Sequence, residues 1–368
     1  MERVAGVYIS YPFCAQKFTY CNFASGVFPR SLEDEFHDSL VSEIQSHEWR
    51  WTPRTVYLGG GTPSQMPIGR LEAVLHLIPG QPWAEATLEA SPGGVTAEKA
   101  RACRHAGINR VSLGVQSFIR REIARTGRKH TAEVVQSEVS LLRDQGLGNI
   151  NIDLIAGLAG QTRESWRESL DWVERLQPPH VSVYMLEIDE DSRLGAEILN
   201  SGVRYGARDI PSEELTAELY ETAVERLARM GIARYEISNF ARPGAESIHN
   251  LKYWRIEPYI GFGPDAHSFD EGRRWQNVES PVEYVARLRD GRSPRMAGTT
   301  ADPVEEKFFV GLRLTEGVIP TEEEWGRFAQ PIGRFLDSGL LETEAGRLRL
   351  TGRGVLLSNE VFQEFLSS

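Results

Sequence analysis

The chain has 368 residues, 40% of them hydrophobic and 25% charged. That is globular composition, with length enough for one large core and a smaller one. A net charge of −11 argues against a nucleic-acid footprint and against a polybasic membrane contact. No apolar run approaches the ~20 residues of a membrane span, and the first residues read as the start of a strand and not as a signal peptide, so a cytoplasmic location is expected.

Short apolar runs at residues 7–10, 55–58, 86–90, 110–114, 150–155 and 180–186 alternate with amphipathic stretches at 32–47, 70–78, 97–106, 132–145 and 163–176. This is the rhythm of repeated β-α-β units around a parallel sheet. It fits an α/β fold of the partial TIM-like (β/α)6 barrel type, with chemistry at the C-terminal strand ends, and it fits a doubly wound sheet equally well. A further helix is predicted over 211–230, then a Gly/Pro- and aromatic-rich stretch over 239–277, a linker over 291–301 and a helix over 303–314. The end, 332–365, reads as a helix, a hairpin at 339–350 and a final helix, a small winged-helix-like module. The division this suggests is a barrel over 1–240, an extension packed on it over 241–290, and a linker with a C-terminal helical domain over 291–368.

Three cysteines, Cys14, Cys21 and Cys103, are too few for a disulfide framework in a protein of this size. Two of them lie in one segment that runs from Tyr8 to Phe23. A loop offering thiolates at spacings of four and three can hold three irons of one cluster and leave the fourth open to a small molecule. The segment resembles the signature of the radical S-adenosylmethionine superfamily, C-x3-C-x2-C with an aromatic just before the last cysteine. Cys14 matches the first metal ligand, Cys21 the third, and Tyr20 the aromatic that the resemblance sets against the adenine. Phe18 stands at the middle ligand position. Phenylalanine has no lone pair for iron, and two thiolates cannot hold a three-point 4Fe-4S cluster unless another ligand steps in. Without a cluster, Cys14 and Cys21 read as two loop thiols. Cys103 lies in a helical pattern and reads as a buried thiol packed on the sheet.

Other motifs extend the resemblance along nearly the whole chain. Gly59-Gly60-Gly61-Thr62-Pro63-Ser64 follows the second strand, where glycines let a backbone approach a ligand closely. The match implies that Gly60, Gly61 and Thr62 contact the amino and carboxylate groups of S-adenosylmethionine. Tyr8, Glu89, Gln116, Arg128 and Asp153 match further cofactor-side positions of the family. Each alone could be structural, and a carboxylate such as Asp153 inside an apolar run needs a partner if buried. His249-Asn250-Leu251-Lys252-Tyr253-Trp254 resembles the HNxxYW motif of the haem-chaperone (HemW-type) branch. His249 could ligate haem iron, or it could be a histidine hydrogen-bonded in a packed aromatic cluster. His267, beside Asp265, is a second candidate ligand.

Three functions follow. The resemblance implies a haem chaperone that binds haem, S-adenosylmethionine and a cluster, and passes haem to acceptor proteins, with peripheral contact to membrane-bound haem proteins among the expected partners. A related reading is an oxygen-independent coproporphyrinogen III oxidase, in which the cofactor carries radical chemistry. Against it stand Phe23, where the oxidases resemble a fourth cysteine, and the HNxxYW match. The third reading is a cluster-less barrel that keeps only haem or protein binding, supported by Phe18.

Overall fold

The computed structural model describes residues 5–16, 18–20, 25–190 and 192–366. Six parallel strands form its centre: β1 (Gly6–Tyr11), β2 (Thr55–Gly60), β3 (Glu85–Ala90), β4 (Arg110–Gln116), β5 (Asn149–Ala156) and β6 (His180–Met185). Between them run helices α1 (Arg30–Gln45), α2 (Ile68–His76), α3 (Ala97–His105), α4 (Arg120–Arg125), α5 (Ala132–Asp144) and α6 (Arg163–Leu176). All six predicted strands and all five predicted helices are present, with ends moved by a few residues. The helix starts have local causes. Thr96, Thr131 and Thr162 each turn a hydroxyl onto the amide three residues ahead, satisfying a donor that the first helical turn leaves open.

The strands pair in chain order, β1 to β6, with no switch point. Alternation along them decides between the two predicted architectures. Val7 and Ile9, Val56 and Leu58, Leu113 and Val115, Ile152 and Leu154, and Val181 and Val183 are buried, and belong to one continuous core with helix residues such as Phe36, Leu40, Val135 and Trp166. The alternate positions carry Tyr8, Tyr57, Glu89, Ser112, Asn151, Asp153 and Ser182. A doubly wound sheet needs apolar side chains on both faces. One apolar face under helices and one polar face is the pattern of a partial barrel with a polar lumen.

Both edges are extended. After α7 (Arg193–Leu199) and α8 (Glu213–Arg229), the short strands β7 (Ala233–Arg234) and β8 (Asn239–Ala241) join antiparallel to the β6 side. Helix α9 (Ile248–Trp254) then leads to β9 (Tyr259–Phe262), which lies parallel beside β1. Strands β10 (His267–Asp270) and β11 (Arg273–Gln276), helix α10 (Pro281–Arg289) and β12 (Thr299–Thr300) complete that edge, giving a mixed sheet of 12 strands. The Gly/Pro- and aromatic-rich stretch, given no element from sequence, carries sheet, and the predicted linker ends in a strand paired to β11. Runs of two to four residues interrupted by glycine show no period, which is why alternation missed them.

The C-terminal module comprises α11 (Pro303–Gly311), α12 (Glu322–Arg327), α13 (Ala329–Asp337), the hairpin β13 (Leu341–Glu344) and β14 (Arg347–Leu350), α14 (Gly352–Leu356) and α15 (Ser358–Gln363). Phe308 lies 4.8 Å from Phe328 and 5.0 Å from Phe365, ring centre to ring centre, and these aromatics form its core. Among the described residues no helix is long and apolar enough to cross a membrane.

Candidate cofactor site at the strand ends

The loop after β1 is folded onto the loop after β2. The Gly61 amide donates to the Tyr11 carbonyl (2.7 Å) and the Thr62 amide to the Phe13 carbonyl (2.9 Å). Cys14 is tied down in turn, its amide donating to the Gly26 carbonyl at 2.9 Å. The closeness explains the glycine. A Cβ on Gly61 would stand 2.6 Å from the Phe13 carbonyl oxygen and 2.9 Å from the Cys14 sulfur. The cysteine loop and the glycine triplet thus share one place at the C-terminal mouth of the barrel.

Below them the inward side chains form a polar, acidic lumen. Tyr57 donates a 2.8 Å hydrogen bond to Glu89, and its ring stacks on Tyr8 with 6.0 Å between centres. Burial, with Asp153 close by, pushes the Glu89 carboxyl up to about 7, against hydrogen bonds from Tyr57 and the Gly60 amide. Asp153 accepts from Asn151 (2.7 Å) and Ser112 (3.1 Å). Burial also raises its carboxyl above the ordinary range, although these bonds oppose the shift.

Gln116 and Arg128 converge from one side. A Cβ on Gly114 would meet both side-chain ends at 3.2 Å, so glycine leaves room for them. Gln116 ends β4 with φ of 69°, a strained value for a residue with a side chain. Its Oε1 and the Nε of Arg128 are buried without a hydrogen-bond partner among the described residues. Such orphaned groups are costly unless a ligand satisfies them. Two carboxylates, an unsatisfied amide and a guanidinium around one lumen suit a ligand that carries a cation, amines and hydroxyls. A sulfonium nucleoside is such a molecule, and the residues present fit it.

They do not fit a cluster held by three motif thiolates. Phe18 packs its ring against Arg128, with 3.8 Å from the guanidinium carbon to the ring centre, and stacks on Tyr20 at 6.1 Å. Arg128 also reaches the Tyr20 hydroxyl at 3.3 Å. Cys21 lies outside the described residues. Cys103 is no substitute: it is buried in α3 at 3% exposure, and burial pushes its thiol up to about 11. Among the described residues no group of three His, Cys, Asp or Glu side chains could hold a metal ion.

Tyr8, Tyr20, Gly60, Gly61, Thr62, Glu89, Gln116, Arg128, Asp153 and Cys14 are thus brought to one mouth; His249 is not. It lies beside Thr55 and Glu85, the first residues of β2 and β3, at the opposite end of the barrel. Its Nδ1 is 2.8 Å from the Thr55 hydroxyl and its Nε2 is 2.7 Å from the Tyr253 hydroxyl. The ring is fully buried, which holds it well below its ordinary pKa. Both nitrogens are occupied, so the packed aromatic cluster, one of the two readings of this motif, is what the geometry contains. Sequence reading also passed over Tyr57, Ser112, Asn151 and Ser182, which line the lumen. Their signal was a polar residue at every second place in otherwise apolar strands.

Comparison with known proteins agrees with this architecture. Residues 8–173 match the radical SAM superfamily, and residues 299–357 match the HemN C-terminal domain. The fold resembles that of the Escherichia coli coproporphyrinogen III oxidase HemN, with a TM-score of 0.83 at 21% identity, over 99% of this chain and 90% of that one. The heme chaperone HemW of Lactococcus lactis is 33% identical over 100% of this chain and 98% of its own length. That of Bacillus subtilis is 34% identical over 98% of each. The chain belongs to the HemW family of radical SAM proteins.

Proposed function

We propose that the chain is a haem chaperone of the HemW type: it binds haem, passes it to acceptor proteins in the cytoplasm, and takes S-adenosylmethionine at the mouth of the barrel. The observation that carries the second part is the docking of the cysteine loop on Gly60, Gly61 and Thr62 above the Glu89 and Asp153 carboxylates. When bound, the nucleoside would supply a sulfonium cation to this acidic lumen. Glu89 and Asp153 offset that charge, Gln116 and Arg128 present hydrogen-bonding atoms that lack partners, and the glycine loop admits the amino-acid end. The full-length similarity to proteins named heme chaperone supports the first part. No radical step is assigned, because Phe18 stands where a cluster thiolate is needed. This favours a chaperone that works without a three-thiolate cluster over a decarboxylating oxidase.

The test combines two measurements on the full chain. Equilibrium dialysis reads S-adenosylmethionine binding, and hemin-loaded protein mixed with an apo-haemoprotein reads transfer as growth of the acceptor's absorption band. Saturable binding in the first and transfer in the second are expected. Failure to take up hemin, or turnover of coproporphyrinogen III, would overturn the assignment.

A further inference from the structure

A cleft of about 760 Å³ opens on the outer face of the sheet edge, between the end of α1, strands β9 to β11 and the segment 291–298. It is separate from the barrel mouth, and its volume falls within the ~300–1,000 Å³ usual for small-molecule and cofactor sites. We propose that this cleft is the haem site, with His47 as the axial ligand to iron and Arg273 and Arg295 receiving the propionates. The inference rests on the haem-binding reading above and adds to it the place and the ligand.

Four observations carry it. The first is the supply of histidines. Of the eight in the chain, His37, His130, His180 and His249 are buried. His76 and His105 stand exposed in the last turns of α2 and α3. His267 is exposed at the start of β10. His47 alone of the eight lines the cleft. It is half-buried, its ring edge-on to Trp49 at 4.8 Å and to Phe262 at 5.4 Å, and no hydrogen bond engages its ring nitrogens among the described residues. Burial, reinforced by Arg295, lowers its pKa, which keeps a nitrogen lone pair available at neutral pH.

The second is the cover for a macrocycle. Trp51 and Trp275 are half-buried in the lining, and large aromatic faces are what a porphyrin packs against. The third is charge. In a chain of net charge −11, Arg273 and Arg295 have no carboxylate within ion-pair distance among the described residues. Arg295 instead lies over Trp275, 5.0 Å from its centre. Four acids also line the cleft, Glu43, Glu48, Asp270 and Glu271. Three of them have other partners: Glu271 pairs with Arg50 at 2.7 Å, Asp270 accepts from the Trp51 indole at 3.4 Å, and Glu43 accepts from Tyr284 at 2.6 Å and from Asn277 at 2.8 Å. Among the described residues neither guanidinium is held in an ion pair, and both can receive carboxylates from outside. The fourth is a second soft donor. Met296, 46% exposed, also lines the cleft, and histidine and methionine are an established axial pair for haem iron.

The experiment is a hemin titration of the full chain, read by absorption and paramagnetic resonance. His47→Ala is expected to weaken uptake about 10- to 100-fold and to shift the Soret band, the scale seen when a metal site loses support. Added imidazole should restore the band, which separates loss of a ligand from loss of the fold. The double variant Arg273→Ala, Arg295→Ala should weaken uptake while leaving the band where it is. Unchanged affinity and spectrum in His47→Ala, or a band that follows His249→Ala instead, would overturn the cleft and leave the chaperone reading intact. A wild-type chain with no saturable hemin binding would overturn both.

Discussion

The Arg128 guanidinium lies 3.8 Å from the centre of the Phe18 ring, at the position where the family signature calls for a thiolate. A cation over an aromatic face is attractive by about 0.5–2 kcal/mol, so phenylalanine here has an interaction of its own and is not simply a lost ligand. Anaerobic iron–sulfur reconstitution of the chain should yield little or no stable 4Fe-4S cluster, and Phe18→Cys should raise the yield sharply. Iron and sulfide analysis with paramagnetic resonance decides it; full occupancy in the unaltered chain would contradict the fit drawn here.

Glu89 predicts a pH dependence. Its carboxyl titrates near 7, so a neutral solution holds both forms. A sulfonium cation is attracted only by the ionised form, and binding it must expel the proton. S-adenosylmethionine affinity should therefore rise from pH 6 to pH 8, and Glu89→Gln should flatten the rise. S-adenosylhomocysteine, which lacks the sulfonium charge, serves as the control and should show a weaker trend. Calorimetry across that range provides the measurement.

Two buried histidines oppose this on the stability side. His37 and His130 are held at about 4, chiefly by burial. Between that value and the ordinary 6.5 the unfolded chain binds more protons than the folded one, so stability rises with pH across this window and is lost on acidification. Glu89 acts in the reverse sense from 4.5 to about 7, because there the folded state holds the extra proton. Other buried groups, Asp153 and His249 among them, are shifted as well, so the histidine contribution is read by difference. Between pH 6.5 and 4 the urea midpoint of His130→Gln should lose less than that of the parent.

Much of the barrel was legible because its signal is periodic. Each core strand alternates apolar and polar residues over six to eight positions, and each helix between them carries a stripe. The glycine triplet and the cysteine loop were legible as strand-end motifs, and the register of Tyr11 against Gly60 brings them together. What stayed hidden depends on contacts across the chain. Nothing local distinguishes His249 as a ligand from His249 as a packed residue; Thr55, 194 positions away, does. Strand β9 has only four residues, and of its two neighbours β10 follows it closely while β1 stands at the other end of the barrel sequence, so pairing with β1 is what reveals it. His47 carried no motif at all and gains meaning from the cleft that α1 and the β9–β11 edge enclose.

His249 also predicts a stability effect. It is fully buried with hydrogen bonds at both ring nitrogens, and its amide donates to Glu85 at 2.9 Å, so it fastens α9 across the strand starts. Lys252, one turn on, is fully buried too. Its Nζ lies 4.2 Å from the Tyr253 ring centre, and burial holds it well below its ordinary pKa. Removing the imidazole would leave the Thr55 and Tyr253 hydroxyls facing a cavity, and unpaired buried polar groups cost about 1–3 kcal/mol each. His249→Ala should therefore destabilise the chain by roughly 2–5 kcal/mol, within the range for breaking a buried network. Thr55→Val, which removes one partner and keeps the ring, should cost less. Urea denaturation measures both; a variant as stable as the parent would mean that the ring is not held as its two short hydrogen bonds require.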